Sequence, residues 1–86
     1  MAWTPDELDT ALTEQFAAGH TYLLKIYGMV EEGGAFPGIT KQDVVDSAGR
    51  LLQAGIIENR HSARVPRNPN LNYWISRAYR LVEQEG

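Results

Sequence analysis

The sequence contains no cysteine, two histidines and no long hydrophobic run. Without cysteine, disulfide bonds and thiolate metal sites are excluded, and a reducing compartment fits the composition. No stretch approaches the roughly 18 apolar residues that a membrane-spanning helix needs. The N-terminus also lacks a basic region followed by an apolar run, which a secretory signal would require. These absences predict a soluble, cytoplasmic protein with no membrane segment.

Patterns of known catalytic sites are also missing from the sequence. There is no Gly-x-Ser-x-Gly, phosphate-loop or His-Glu-x-x-His motif. His20 and His61 are far apart in the chain, and Glu31 and Glu32 are neighbours whose side chains would point about 100° apart on a helix. We therefore expect a protein that is not an enzyme and that binds no metal or cofactor.

The chain has 86 residues, of which 43% are hydrophobic and spread along its length. This size and pattern predict one domain spanning residues 1–86. Charge is divided unevenly: residues 1–49 carry a net charge of −6, whereas residues 50–86 carry +3, with arginine as their only cation. The basic half either complements the acidic half within the fold or binds an external anion.

The first half of the chain predicts two helices. Thr4, Pro5 and Glu7 form a helix start, with a capping threonine, a proline at the first helical position and a glutamate three residues after the cap. Apolar residues continue at helical spacing through Gly19, so one long helix is an alternative. We favour a break near Gly19, followed by a second helix over residues 22–32.

The second half predicts a third helix and a strand. Thr40 caps a helix over residues 40–54, and the chain after Gly55 begins a strand. Residues 62–72 are rich in proline and asparagine and predict a loop. The next segment fits two structures: a strand over residues 73–77 followed by a short terminal helix, which we favour, or a helix capped by Asn70.

The segment "GITKQDVVDSAGRLLQAGIIENR", Gly38 to Arg60, resembles the recognition helix and first wing strand of the winged helix-turn-helix superfamily. The strongest part of the match is "LLQAGIIE", a leucine pair, an alanine-glycine stop and two aliphatic residues. The resemblance implies a mainly α fold with a small β-hairpin (α+β), made of three helices, a wing and a short C-terminal segment.

The resemblance also implies DNA binding, as in a dimeric transcriptional regulator, with helix 40–54 in the major groove and the wing, residues 58–72, on the backbone. The positions that it assigns to duplex DNA are Lys41, Gln42, Ser47 and Arg50 on the helix, and Arg60, Arg64 and Arg67 on the wing. Asp43 and Asp46 depart from this pattern, because carboxylates on the reading face oppose the phosphates. A pI near 5.2 is also unusual for a DNA-binding domain.

The alternative function is protein binding on the same scaffold, as an adaptor, an inhibitor or a homodimer. Residues 73–80 contain the types enriched at the centres of protein interfaces. They are Tyr73, Trp74, Arg77, Tyr79 and Arg80. A third interpretation is structural: Trp74 and one of the tyrosines close the core.

Overall fold

The computed structural model describes residues 3–60 and 66–82. Within them the chain is a mostly helical α+β structure with four helices and two short strands. In order, the elements are α1 (Pro5–Ala17), α2 (Leu23–Gly33), α3 (Lys41–Gln53), β1 (Ile57–Asn59), α4 (Leu71–Ile75) and β2 (Tyr79–Leu81). The α+β class is as predicted, and α4 is a helix that the favoured prediction did not place at this position.

Helix α1 begins and ends where the sequence predicts. The Thr4 hydroxyl accepts a hydrogen bond from the backbone N–H of Glu7 at 3.2 Å, and Pro5 occupies the first turn. The helix ends at Ala17, and Gly19 follows with φ of 99°, a backbone conformation that a residue with a Cβ rarely adopts. The predicted break near Gly19 is therefore confirmed.

Helix α3 starts with the predicted capping box. The Asp43 backbone N–H donates to the Thr40 hydroxyl at 3.1 Å, and the Thr40 N–H donates to the Asp43 carboxylate at 3.0 Å. Gly55 follows the helix with φ of 73° and directs the chain into β1. Asp43 is therefore held at the helix start, where a negative charge is stabilised by the helix dipole.

The favoured prediction for residues 73–82 is wrong. Residues 71–75 form helix α4, and the strand β2 comes after it, which is the reverse of the predicted order. The helix is stabilised at its start because the Asn70 side chain accepts a hydrogen bond from the Tyr73 N–H at 3.0 Å. The alternative with Asn70 as the cap is the correct one for this segment.

The strands pair antiparallel, with Ile57 opposite Leu81 and Asn59 opposite Tyr79. A third segment, residues 21–23 at the start of α2, lies on the other side of β2. Its Thr21 carbonyl accepts from the Tyr79 N–H at 2.9 Å, and Tyr22 forms an isolated bridge with Ala78. Strand β2 is therefore central, between the segment that precedes α2 and the strand that follows α3.

The core lies between the first three helices and the inner face of the paired strands. Its buried apolar residues come from every element. They are Trp3, Leu8, Leu12, Phe16, Leu23, Ile26, Val30, Ile39, Val44, Ala48, Leu51, Ile57, Ile75 and Tyr79. Because α1 and α2 cover the inner side of α3, the outer side of α3 is left to face solvent and α4.

Candidate functional site

The exposed side of α3 carries two of the predicted DNA contacts. Lys41 and Gln42 are both exposed in the first turn. The Gln42 amide nitrogen donates to Asp46 Oδ1 at 2.8 Å, so the two side chains are joined one helical turn apart. Reading an adenine edge with Gln42 would require breaking this hydrogen bond and bringing phosphates close to Asp46.

The prediction that Ser47 faces DNA is wrong. Its side chain is fully buried, and its hydroxyl donates to Asp9 Oδ1 of α1 at 2.5 Å. Ser47 lies three residues after Val44 and four before Leu51, which places it on the side of α3 that packs against α1. Its role is therefore to join two helices.

Arg50 forms an ion pair within the fold. Its Nε donates to Asp9 Oδ2 at 3.0 Å and its Nη2 donates to Asp9 Oδ1 at 2.7 Å, a two-pronged contact from α3 to α1. The Arg50 side chain is 43% exposed, and that of Asp9 is 20% exposed. The positive charge of Arg50, which was predicted to contact DNA, is therefore compensated by Asp9 within the fold.

The ionisation of this pair follows from its surroundings. Partial burial acts to raise the pKa of Asp9, but the hydrogen bonds from Arg50 and Ser47 and the charge of Arg50 outweigh it, so this pKa lies below its ordinary value. The hydrogen bond to Asp9 chiefly raises the pKa of Arg50, against the effect of burial, and the charges of Asp46 and Asp6 add to it. The charges of three aspartates thus act on one guanidinium group.

The arginines of the predicted wing have different surroundings. Arg60 is exposed, and its Nη1 donates to the Thr21 hydroxyl at 3.1 Å, across the central strand. Arg67 is also exposed. Arg64 lies outside the described residues. Arg80 pairs with Glu58 at 2.9 Å on the outer face of the strands, so part of the basic half does complement acids within the fold.

The aromatic residues after the wing form a cluster around Arg77. Its guanidinium lies 5.3 Å from the centre of the Tyr73 ring and 5.8 Å from that of Trp74. It donates to Asn59 Oδ1 at 2.7 Å and to the Tyr73 hydroxyl. The two rings meet edge to face at 5.0 Å. Trp74 is therefore fixed by its neighbours before any partner arrives.

Tyr79 belongs mostly to the core. It is 3% exposed and meets the Phe16 ring edge-on at 6.4 Å. Burial raises the pKa of its phenol, an effect that the nearby charge of Arg77 opposes. The structural interpretation of the aromatic segment is correct for Tyr79, which can offer a partner little surface.

A groove of about 660 Å³ runs between the outer side of α3 and α4. Apolar side chains from both helices and from β2 line its floor, and polar side chains of α3 line its rim. The lining residues are Val45, Gly49, Leu52, Trp74 and Tyr79, with Gln42, Asp46, Arg50 and Gln53. We call this feature the α3–α4 groove. In it, Trp74 and Tyr79 lie near Gln42 and Arg50, which were predicted to contact DNA, and near Asp46, whose charge was expected to repel the phosphates.

Sequence reasoning missed half of this groove. Val45, Gly49 and Leu52 are spaced by four and three residues, so they form a second apolar line beside the buried stripe of α3. That spacing could have revealed a helix with an apolar side left over for another contact. Asp9 was missed because nothing in the sequence indicates that it meets residues about 40 positions later.

Residues 3–60 and 66–82 were also considered for metal and membrane contacts through their side chains and helices, as the described part of the chain. They hold no group of three histidine, aspartate or glutamate side chains that could bind a metal ion. None of the helices in these ranges has the length and apolarity to cross a membrane. A smaller cleft of about 190 Å³ lies beside Trp3 and Arg50, and its lining is less apolar than that of the α3–α4 groove.

Comparison of this chain with protein-family models, with curated proteins and with solved structures finds no match in any of the three.

Proposed function

We propose that this protein is a protein-binding module on a winged-helix scaffold, and that a segment of its partner occupies the α3–α4 groove. The observation that carries the proposal is the apolar floor of this groove, formed by Val45, Leu52 and Trp74 at the surface of a small domain. Concave apolar surface that is accessible to solvent is typical of a binding site.

The scaffold is supported by the order of the elements. Three helices are followed by strand β1, by a connection over residues 60–78 that we call the arm, and by strand β2. Strand β2 pairs with β1 and is hydrogen-bonded to residues 21–23. This is the order that the winged helix-turn-helix resemblance implies, with α4 as an addition within the arm. In that arrangement α3 occupies the position of the recognition helix, and its outer side is where the family binds its ligand.

The charges on α3 favour a protein over DNA. A DNA-binding helix must place uncompensated cations against phosphates, because release of counterions supplies much of the affinity. Arg50 is paired with Asp9, and Gln42 is bonded to the carboxylate of Asp46. A partner with apolar side chains meets no such penalty in the groove.

The residues of the groove are also suited to binding a protein. Tryptophan and arginine dominate the energetic centres of protein interfaces. Trp74 is held by Arg77 and Tyr73, so little side-chain entropy is lost when a partner binds against it.

Gly49 allows a direct test of this function. A Cβ added at Gly49 would contact nothing within 4 Å, so a larger side chain extends into the groove without disturbing the core. We expect Gly49→Gln to weaken partner binding about tenfold or more, because the glutamine side chain takes up space that the partner needs. A tenfold change corresponds to about 1.4 kcal/mol of binding free energy. Gly28→Gln is the matched control, because Gly28 is also helical, has equal room for a Cβ and does not line the groove.

The measurement is affinity capture from cells of the native host, with proteins identified by mass spectrometry. The proposal expects a protein that wild type and Gly28→Gln capture and that Gly49→Gln does not. If all three chains capture the same proteins in the same amounts, while circular dichroism shows that all are folded, the groove does not bind a partner.

A second candidate function is DNA binding through the arm instead of α3. It is favoured by Arg60 and Arg67, which are exposed on the same connection between β1 and α4. Charged side chains there can follow a phosphate backbone, as a wing does in the family that the sequence resembles.

A further inference from the structure

The charged groups that line the α3–α4 groove, among the described residues, are Asp46 and Arg50. The charge of Arg50 is compensated by the carboxylate of Asp9, to which Nε and Nη2 both donate hydrogen bonds. Asp46 is exposed and accepts a hydrogen bond from the uncharged amide of Gln42, so its negative charge is not compensated by that contact. The α3 rim of the groove therefore carries a net negative charge.

Neighbouring charges strengthen this sign on the rim. Asp9 is the carboxylate bonded to Arg50, and the charges of Asp46 and Asp6 also act on this guanidinium group. On the opposite wall, Arg77 lies against Trp74, is bonded to Asn59 and is not among the groove-lining residues. A cation near Asp46 is therefore attracted, and an anion is repelled.

We propose that the occupant of the groove is a peptide segment of a protein with an apolar or aromatic anchor and a lysine or arginine close to it. This inference rests on the proposed function and specifies its partner. The anchor lies over Gly49, between Val45 and Trp74, and the cation meets Asp46. Because Asp46 and Gly49 lie one helical turn apart, about 5 Å, the cation lies one or two positions from the anchor in an extended peptide, which rises about 3.3 Å per residue.

The test is selection of a phage-displayed library of random 12-residue peptides on the full chain. Peptides that bind wild type but not the Gly49→Gln variant are sequenced. Two of them are synthesised, and their affinities are measured by fluorescence anisotropy. We expect enrichment of an aromatic or aliphatic residue with lysine or arginine one or two positions away. Asp46→Asn is expected to weaken these peptides two- to fivefold, the range for an exposed ion pair, and 0.5 M salt to weaken them similarly.

Charge reversal provides the sharper comparison. Selection on Asp46→Lys is expected to replace the enriched cation with aspartate or glutamate, whereas Glu32→Lys, an exposed reversal near the end of α2, is expected to leave the enriched sequences unchanged. Peptides that require the groove but show no cation, or that bind Asp46→Asn as tightly as wild type, would overturn this inference and leave the proposed function standing. If no selected peptide is sensitive to Gly49→Gln, both fail.

Discussion

At the scale of single residues, Asp9 has the largest structural role among the charged groups described. One carboxylate on α1 accepts hydrogen bonds from both Ser47 and Arg50 of α3. The contact fixes how the two helices pack, and it leaves no buried side-chain nitrogen or oxygen unpaired within the described residues. Asp9 therefore stabilises the packing of α1 against α3.

We predict that the contribution of Asp9 to stability depends on pH. Because the pKa of Asp9 is lowered in the folded protein, its stabilisation is complete above the pKa of the unfolded chain, near 3.9, and is lost as the pH falls through the folded value. Asp9→Asn should lower the free energy of unfolding by about 1–2 kcal/mol at pH 7, since charge-assisted hydrogen bonds are weakened. This difference from wild type should shrink towards pH 2.

Urea unfolding at pH 7, 5, 4 and 2.5 measures this effect. Glu14→Gln is the control on the same helix, because Glu14 is exposed, and it should change the unfolding free energy by less than about 0.5 kcal/mol. A difference between wild type and Asp9→Asn that stays constant over this pH range would show that the charge of Asp9 does not contribute.

At the scale of elements, the glycines divide into two classes. Gly55 ends α3 with φ of 73°, where any other residue is strained, whereas Gly28 and Gly49 lie inside helices. None of the three has a neighbour within 4 Å of an added Cβ. Backbone conformation alone, and not crowding, therefore separates them.

We predict that alanine has opposite effects at these positions. Gly55→Ala should destabilise the protein by about 1 kcal/mol, because an L-residue is disfavoured in the left-handed region. Gly28→Ala and Gly49→Ala should each stabilise it by about 0.5–1 kcal/mol, because alanine favours the helix. For a domain of this size, 1 kcal/mol corresponds to a melting-temperature shift of about 4–8 °C in calorimetry. A shift of the same sign at all three positions would contradict this explanation.

The elements with local signals could be predicted from the sequence, and those set by distant contacts could not. The starts of α1 and α3 are fixed by the side chains of Thr4 and Thr40 within one turn of the helix. The segment after Asn70 contained signals for a helix and for a strand, and the choice depended on a cap and on packing against α3. The α3–α4 groove exists only because α4 packs beside α3, so no local sequence pattern could predict the wall that contains Trp74.

At the scale of the whole molecule, the uneven charge of the sequence is only partly compensated by the fold. Arg50 is paired with Asp9 and Arg80 with Glu58, so the positive charges of these two arginines are compensated within the fold. Arg60 and Arg67 face solvent on the arm. The molecule therefore has exposed acids on α1, at Asp6, Glu7 and Glu14, and exposed arginines on the arm.

DNA binding by the arm, the second candidate function, predicts a specific salt dependence. Affinity for a 20-base-pair duplex of random sequence should fall linearly with salt on logarithmic axes between 50 and 200 mM. The double variant Arg60→Glu with Arg67→Glu should reduce the magnitude of that slope by about two, since each lost phosphate contact removes about one. Fluorescence anisotropy of the labelled duplex measures both.

Lys25→Glu supplies a charge-reversal control, because Lys25 is exposed on α2, outside the arm, although it changes the net charge by only half as much as the double variant. It should leave the slope within about half a unit of the wild-type value, apart from the change in net charge. No binding of the duplex by the folded wild-type chain at 50 mM salt would rule out this function and leave the protein-binding proposal unaffected.

The central position of β2 has a consequence for how the chain reaches its fold. This strand lies between two segments that precede it in sequence by about 20 and 60 residues. On a ribosome, α1, α2 and α3 emerge while the place between β1 and residues 21–23 is still empty. Completion of the sheet must wait until residues 77–82 have left the exit tunnel, so the last step of folding follows synthesis of the arm.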